Sequence, residues 1–114
     1  MIQLMAHSHI LVARQPADFR KGMDGFQALC RDQLQQNPKQ DTWFVFLNRN
    51  RTLIRLLRHD GNGFWLMTKR LSSGKFALPA GGDETPAGTL SAHHLSRILK
   101  GLAITDDSTF KNPA

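Results

Sequence analysis

Seven basic residues and one acid, Asp60, lie between Arg49 and Lys75, so that stretch carries a net charge of +6. The whole chain is also +6, because its flanks nearly cancel. A solubilising charge is ordinarily scattered along a chain. Concentrated here among strand-forming apolar residues, it describes a surface that attracts polyanions, nucleic acid first among them. The candidate phosphate ligands are Arg49, Arg51, Arg55, Lys69, Arg70 and Lys75, extended by Arg20 and Lys21, with Trp65 or His59 as a stacking surface. The competing reading makes several of these residues edge-strand gatekeepers against sheet-to-sheet aggregation. The charge density exceeds what gatekeeping needs and favours anion binding for the cluster as a whole. Taken singly, Trp65 reads as a half-buried sheet residue rather than a stacking platform.

Catalysis has no comparable constellation. Metal-dependent cleavage of DNA needs clustered carboxylates, whereas Asp18, Asp24 and Asp60 are widely spaced and have no matching Glu. Asp24 is accounted for as a helix cap and Asp60 as a turn former. The chain contains no P-loop and no Ser/His/Asp set. His7-x-His9 and His93-His94 miss the spacing of helical metal ligands, and Cys30 falls on an apolar stripe, so neither metal nor cofactor is expected.

Composition bounds the setting in which these residues must work. At 114 residues, 40% apolar and 21% charged, the chain suits one domain with one core, expected over residues 1–104 with a frayed tail at 105–114. A single cysteine leaves no internal disulfide and suits a reducing cytoplasm. No apolar run approaches the ~18 residues of a membrane span. Residues 1–9 lack the cationic start and cleavage site of a signal peptide, so a cytoplasmic location is expected.

The elements that position the basic cluster follow from periodicity. Ile10, Leu11 and Val12 predict a strand over residues 9–14, stopped at Gln15-Pro16. A helix is predicted over residues 24–36, opened by Asp24 with Gln27 in a capping-box-like pair. Its apolar stripe is Phe26, Leu29, Cys30 and Leu34, and it ends by Asn37-Pro38. From Trp43 the apolar period becomes strand-like, predicting strands at 43–47, 53–59, 64–71 and 75–78 joined by short turns, hence an antiparallel meander. Residues 83–89 read as a loop. A second helix over residues 92–100 takes Ser91 as N-cap, Leu90 and Leu95 as a hydrophobic staple and Gly101 as its stop. The fold class is therefore α+β, an antiparallel meander of four to five strands with two flanking helices. The expected core is Phe26, Leu29, Leu34, Phe44, Phe46, Ile54, Leu56, Phe64, Leu66, Leu95, Ile98 and Leu99.

The hairpin around Asp60-Gly61-Asn62-Gly63 admits two registers. A type I turn with Gly63 left-handed sets Arg55 opposite Lys69, a like-charge pairing that is destabilising unless an anion lies between. A two-residue loop shifts the register by one and sets Arg55 opposite Thr68.

The chain carries, in order, Asp18-x-Arg20-Lys21-Gly22-x-Asp24-Gly25, Phe44-Val45-Phe46, Asn48-Arg49-x-Arg51 and Asp60-Gly61-x-Gly63-Phe64-x-Leu66-x-x-Lys69-Arg70-Leu71-x-x-Gly74-x-Phe76. This ordered set, spanning about residues 9–104, resembles the TnpB accessory family of bacterial insertion sequences of family sixty-six, which is unrelated to the RNA-guided nuclease of the same name. Two positions depart from the family's pattern: His59 stands where an aromatic, often Trp, precedes the turn aspartate, and Leu78-Pro79 stands where Trp-Pro is usual. The resemblance implies an accessory role in transposition beside a separate DDE-type transposase and a companion accessory protein. The resulting expectation is a non-catalytic factor that binds DNA or RNA through a basic sheet surface, with no membrane partner. The alternative is a protein–protein adaptor for the transposase, using the second helix, an exposed sheet face or Asp83-Glu84; a metal-dependent nuclease comes third. Charge placement separates the first two, since a basic transposase is not drawn to the 49–75 surface.

Overall fold

A computed structural model describes residues 4–78 and 85–101. In chain order the elements are β1 (Ile10–Ala13), α1 (Met23–Asp32), β2 (Trp43–Leu47), β3 (Leu53–His59), β4 (Phe64–Arg70), β5 (Ala87–Thr89) and α2 (Ala92–Leu99). The strands form one sheet in the order β4-β3-β2-β1-β5. β1 and β2 run parallel, while the β1–β5, β2–β3 and β3–β4 pairs are antiparallel.

The sheet is buried on both faces at its centre. Phe26, Cys30 and Leu34 from α1 and the residues after it pack against Leu11, Phe44, Phe46 and Leu57. Leu95 and Ile98 of α2 pack with Ile10, Val12, Val45 and Ile54, the side chains that point the other way. Helix coverage on both sides explains why β1 and β2 are near-continuous apolar runs buried at every position rather than alternating ones. Cys30 is core, as its stripe position implied, and burial pushes its thiol up to about 12. Among the described residues no helix is long and apolar enough to cross a membrane.

The fold is α+β with two helices, as expected, but the sheet is mixed and not an antiparallel meander throughout. Only β2-β3-β4 is a meander. The α1 crossover returns the chain beside β1 in the same direction, which a tight hairpin cannot do. Residues 75–78, expected as a strand, are not one. Phe76 is fully buried and its N–H bonds the Arg51 carbonyl at 2.7 Å, so its apolar character plugs the core without joining the ladder. The fifth strand is β5, inside the stretch expected to be a loop. It pairs Ala87 with Ala13 and Gly88 with Val12, and such small residues leave no apolar pattern to read.

Helix ends also divide. α2 opens and closes as expected: Ser91 Oγ accepts from the His94 N–H at 3.1 Å, Leu90 and Leu95 are buried, and Gly101 takes φ +72°. α1 does not use Asp24 as its cap. Gly22 is the N-cap, without a side-chain bond, and Asp24 lies inside the first turn, where it meets the positive end of the helix dipole. α1 also stops at Asp32, short of the expected 36, and Gln35 turns left-handed at φ 55°.

The β3–β4 hairpin takes the two-residue register. His59 faces Phe64, and the Asp60 N–H bonds the Gly63 carbonyl at 3.0 Å. The positive φ, +105°, is at Gly61 and not Gly63, the place where a type II′ loop puts its glycine. Arg55 therefore faces Thr68, and no Arg55–Lys69 opposition arises. Of the expected core, Leu29, Phe64, Leu66 and Leu99 are only partly buried. For Phe64 and Leu66 the reason is that β4 is a sheet edge. The expected tail, 105–114, lies outside the described residues.

Candidate nucleic-acid interface

Parallel β1 and β2 finish at the same end of the sheet, and the loops that leave them enclose a crevice there, the usual ligand position beside parallel strands. It has a volume of about 680 Å³ and is lined by residues 16–20 and 48–50. A neighbouring hollow of about 200 Å³ is lined by Arg14, Arg49 and Arg51 among others.

The 48–52 turn is held by Asn48. Its Oδ1 accepts from the Thr52 and Leu53 N–H groups at 2.9 and 3.0 Å, and its amide donates to Thr52 Oγ1. Arg51 stands at φ 57°, a left-handed conformation uncommon for a non-glycine residue, with its N–H on the Asn48 carbonyl. Arg49 and Arg51 are thereby kept exposed on a fixed turn. Across the crevice, Arg20 grips Asp18 with Nε and Nη2, the latter at 2.8 Å. That hydrogen bond is the main reason the Asp18 carboxyl is pulled down to about 2. Arg20 remains largely exposed, and Lys21 is exposed beside it.

The other candidate ligands divide by local geometry. Arg70 faces Leu53 at the end of β4, and Lys75 precedes Phe76, whose N–H bonds Arg51, so both exposed cations share the crevice end of the sheet. Arg55 is spent within the protein. Its Nε donates to Thr68 Oγ1 at 2.6 Å, and Nη1 donates to the Phe19 and Lys21 carbonyls at 3.1 Å each. Its guanidinium lies 4.7 Å from the Phe19 ring centre and 5.0 Å from that of Phe26, and partial burial lowers its pKa. Lys69 points to the opposite sheet face, where Nζ donates to the Leu99 carbonyl at the negative end of α2.

Six of the eight candidates, Arg20, Lys21, Arg49, Arg51, Arg70 and Lys75, are thus exposed at one end of the sheet, on loops and strand ends. Sequence reasoning passed over Arg14. Its one signal is a basic residue directly after the first apolar run. Trp65 is 50% exposed on the edge strand, more than expected, with its indole N–H on Asp60 Oδ2 at 2.8 Å. That bond is the chief cause of the lowered Asp60 pKa. His59 stacks edge-on against Phe64 with ring centres 4.8 Å apart. Among the described residues no three His, Cys, Asp or Glu side chains converge as metal ligands.

Residues 8–109 match the family described as IS66 Orf2 like protein. The chain is 40% identical over 93 residues to the uncharacterized protein y4jC of Sinorhizobium fredii, covering 82% of this chain and 78% of that one. It is 32% identical over 93 residues to y4hO of the same organism, covering 82% and 79%. No solved structure matches.

Proposed function

This chain belongs to the IS66 Orf2-like family, whose role is accessory to transposition, and we propose that it serves that role by binding DNA through the cationic end of its sheet. The observation that carries the reading is the set of six exposed cations at the end of the sheet that holds the crevice, with Arg20 and Arg49 lining it. Asp18, the acid lining that crevice, is already engaged by Arg20. Loops held by Asn48 and Arg55 present the cations in a fixed arrangement, which suits phosphate groups at set spacing and asks nothing of the bases. Binding is therefore weakly sequence-selective. No catalytic step is assigned, since Asp18 is spent on Arg20, and Asp60 on its turn and Trp65. Association with the element's transposase accompanies the accessory role.

Titration of the purified protein with duplex, single-stranded and insertion-end DNA at two salt concentrations tests this. Neutralising ~4–6 phosphates gives a log–log salt slope of roughly −4 to −5, and Arg49→Ala/Arg51→Ala/Lys75→Ala makes it shallower by roughly 3. Absence of binding to all three DNAs, with co-purification of the transposase, overturns the reading in favour of the adaptor. Metal-dependent cleavage that survives repurification overturns it in favour of the nuclease.

A further inference from the structure

The far end of the sheet carries a different kind of site. On the α2 face, Ile10 faces Trp43 and Arg58 faces Trp65, and the β2–β3 register continued by one residue sets Trp43 beside Arg58. Arg58 lies over the Trp43 ring at 5.6 Å, its side chain only 19% exposed. One arm of its fork, Nη2, binds the exposed carboxylate of Asp41. The other arm, Nη1, is buried without an acceptor, and so is the indole N–H of Trp43, a residue 6% exposed. Buried donors are nearly always paired, so two orphans on stacked neighbours mark a place where an acceptor belongs. Both residues line a hollow of about 190 Å³ together with Met5, His7, His9 and Asp41.

The surroundings define the acceptor. Met5 and Trp65 are the exposed large apolar side chains among the described residues, at 43% and 50%, and they flank Arg58: Met5 in the hollow, Trp65 on the neighbouring strand. Trp, Met and Arg around a desolvated donor pair are the composition of a protein-binding hot spot. The adjoining depression beside Arg58 mixes Lys39 with Asp41 and Asp60, so it is not the continuous basic track that a phosphate backbone follows. Arg58, with one arm on Asp41 and the other without an acceptor, has a place for one further carboxylate.

We propose that this hollow receives a Glu or Asp side chain from an acidic-apolar segment of a partner protein. The carboxylate accepts from Arg58 Nη1 and Trp43 Nε1, and an apolar neighbour in the segment lies on Met5 and Trp65. β3 runs from Leu53 at the crevice end to His59 at this one, so DNA and the partner occupy opposite ends of the sheet and bind at once.

The test follows the two indole N–H signals by NMR during titration with the peptides acetyl-Leu-Glu-Phe-amide and acetyl-Leu-Gln-Phe-amide. The glutamate peptide shifts the Trp43 indole signal saturably, at least about tenfold more tightly than the glutamine peptide, consistent with a charged hydrogen-bond acceptor. Arg58→Lys, which keeps the charge and loses the fork, weakens the glutamate peptide by about tenfold. Trp43→Phe removes the preference while the remaining amide spectrum reports that the fold persists. A Trp43 signal that neither peptide moves, equal binding of the two peptides, or a shift produced by a short DNA duplex and not by the glutamate peptide overturns the proposal. Because the readout is on Trp43, its failure leaves the salt dependence of DNA binding untouched.

Discussion

Replacing Arg55 by Ala separates a phosphate ligand from a structural clamp. The side chain makes three hydrogen bonds, to Thr68 Oγ1 and the carbonyls of Phe19 and Lys21, and stacks on two rings. A hydrogen bond from a charged donor is worth about 1.5–3 kcal/mol where it is well buried. Arg55 is only partly buried, and the carbonyls it releases regain water, so ~1 kcal/mol per bond is the appropriate scale. Each exposed cation–ring contact adds ~0.5 kcal/mol. The sum, reduced for rehydration, is a loss of about 2–4 kcal/mol. For a domain of this size each kcal/mol lowers Tm by roughly 4 °C, so thermal unfolding should fall by about 8–16 °C. Arg55→Lys should recover little of this, because an ammonium cannot span the two carbonyls and Thr68 together. In the same assays Arg49→Ala should leave Tm within a degree or so and weaken DNA binding, as an exposed residue without packing does. Tm unchanged in Arg55→Ala, with a salt slope shallower by about one, would refute the clamp and return Arg55 to the phosphate ligands.

Three further outcomes concern the Asp18 fork and the two helix starts. Asp18 has a folded pKa near 2, below its ordinary 3.8, so its bond with Arg20 contributes above the ordinary value and is lost as pH falls through about 2. Carboxyl NMR titration should show Arg20→Ala raising Asp18 back towards 3.8, and no change would mean the fork is not formed in solution. Ser91→Ala removes the bond to the His94 N–H and should cost ~1 kcal/mol by urea denaturation. Asp24→Ala, which loses no cap bond, should cost no more than the ~0.3–1 kcal/mol of a helix-dipole contact, and a larger loss would restore Asp24 as the cap.

The legible parts of the molecule were those whose signal is local. Ser91, Leu90, Leu95 and Gly101 announce α2 because capping, stapling and left-handed termination act within one turn of chain. The runs of β2, β3 and β4 declare strands by composition, and the short loops between them can only reverse direction. β5 was hidden because it is three residues long and holds Ala87 and Gly88, which leave no apolar period in the sequence, while its pairing with β1 joins segments distant in the chain. Phe76 misled in the opposite sense: its burial is real, but its N–H bonds a turn carbonyl and not a ladder partner.

For the candidate site, the sequence by itself determined its chemical character: an excess of fixed positive charge within residues 49–75, with Arg20 and Lys21 in reserve. Charge is a property of residue type and needs no fold to be counted. Tertiary structure decided which of those charges are available. The parallel setting of β1 and β2 brings the 14–21 and 48–52 loops together, so Arg20 and Lys21 meet Arg49 and Arg51 from distant parts of the chain. The two-residue hairpin sends Arg55 to one face and Lys69 to the other, where each is engaged by acceptors of the protein itself. Arg58, indistinguishable from its neighbours by charge, is instead laid over Trp43 at the opposite end. Strand register alternates side chains between faces at every residue, so a shift of one position reassigns every cation. That register depends on turn geometry and packing between distant segments, which the linear order of residues leaves open.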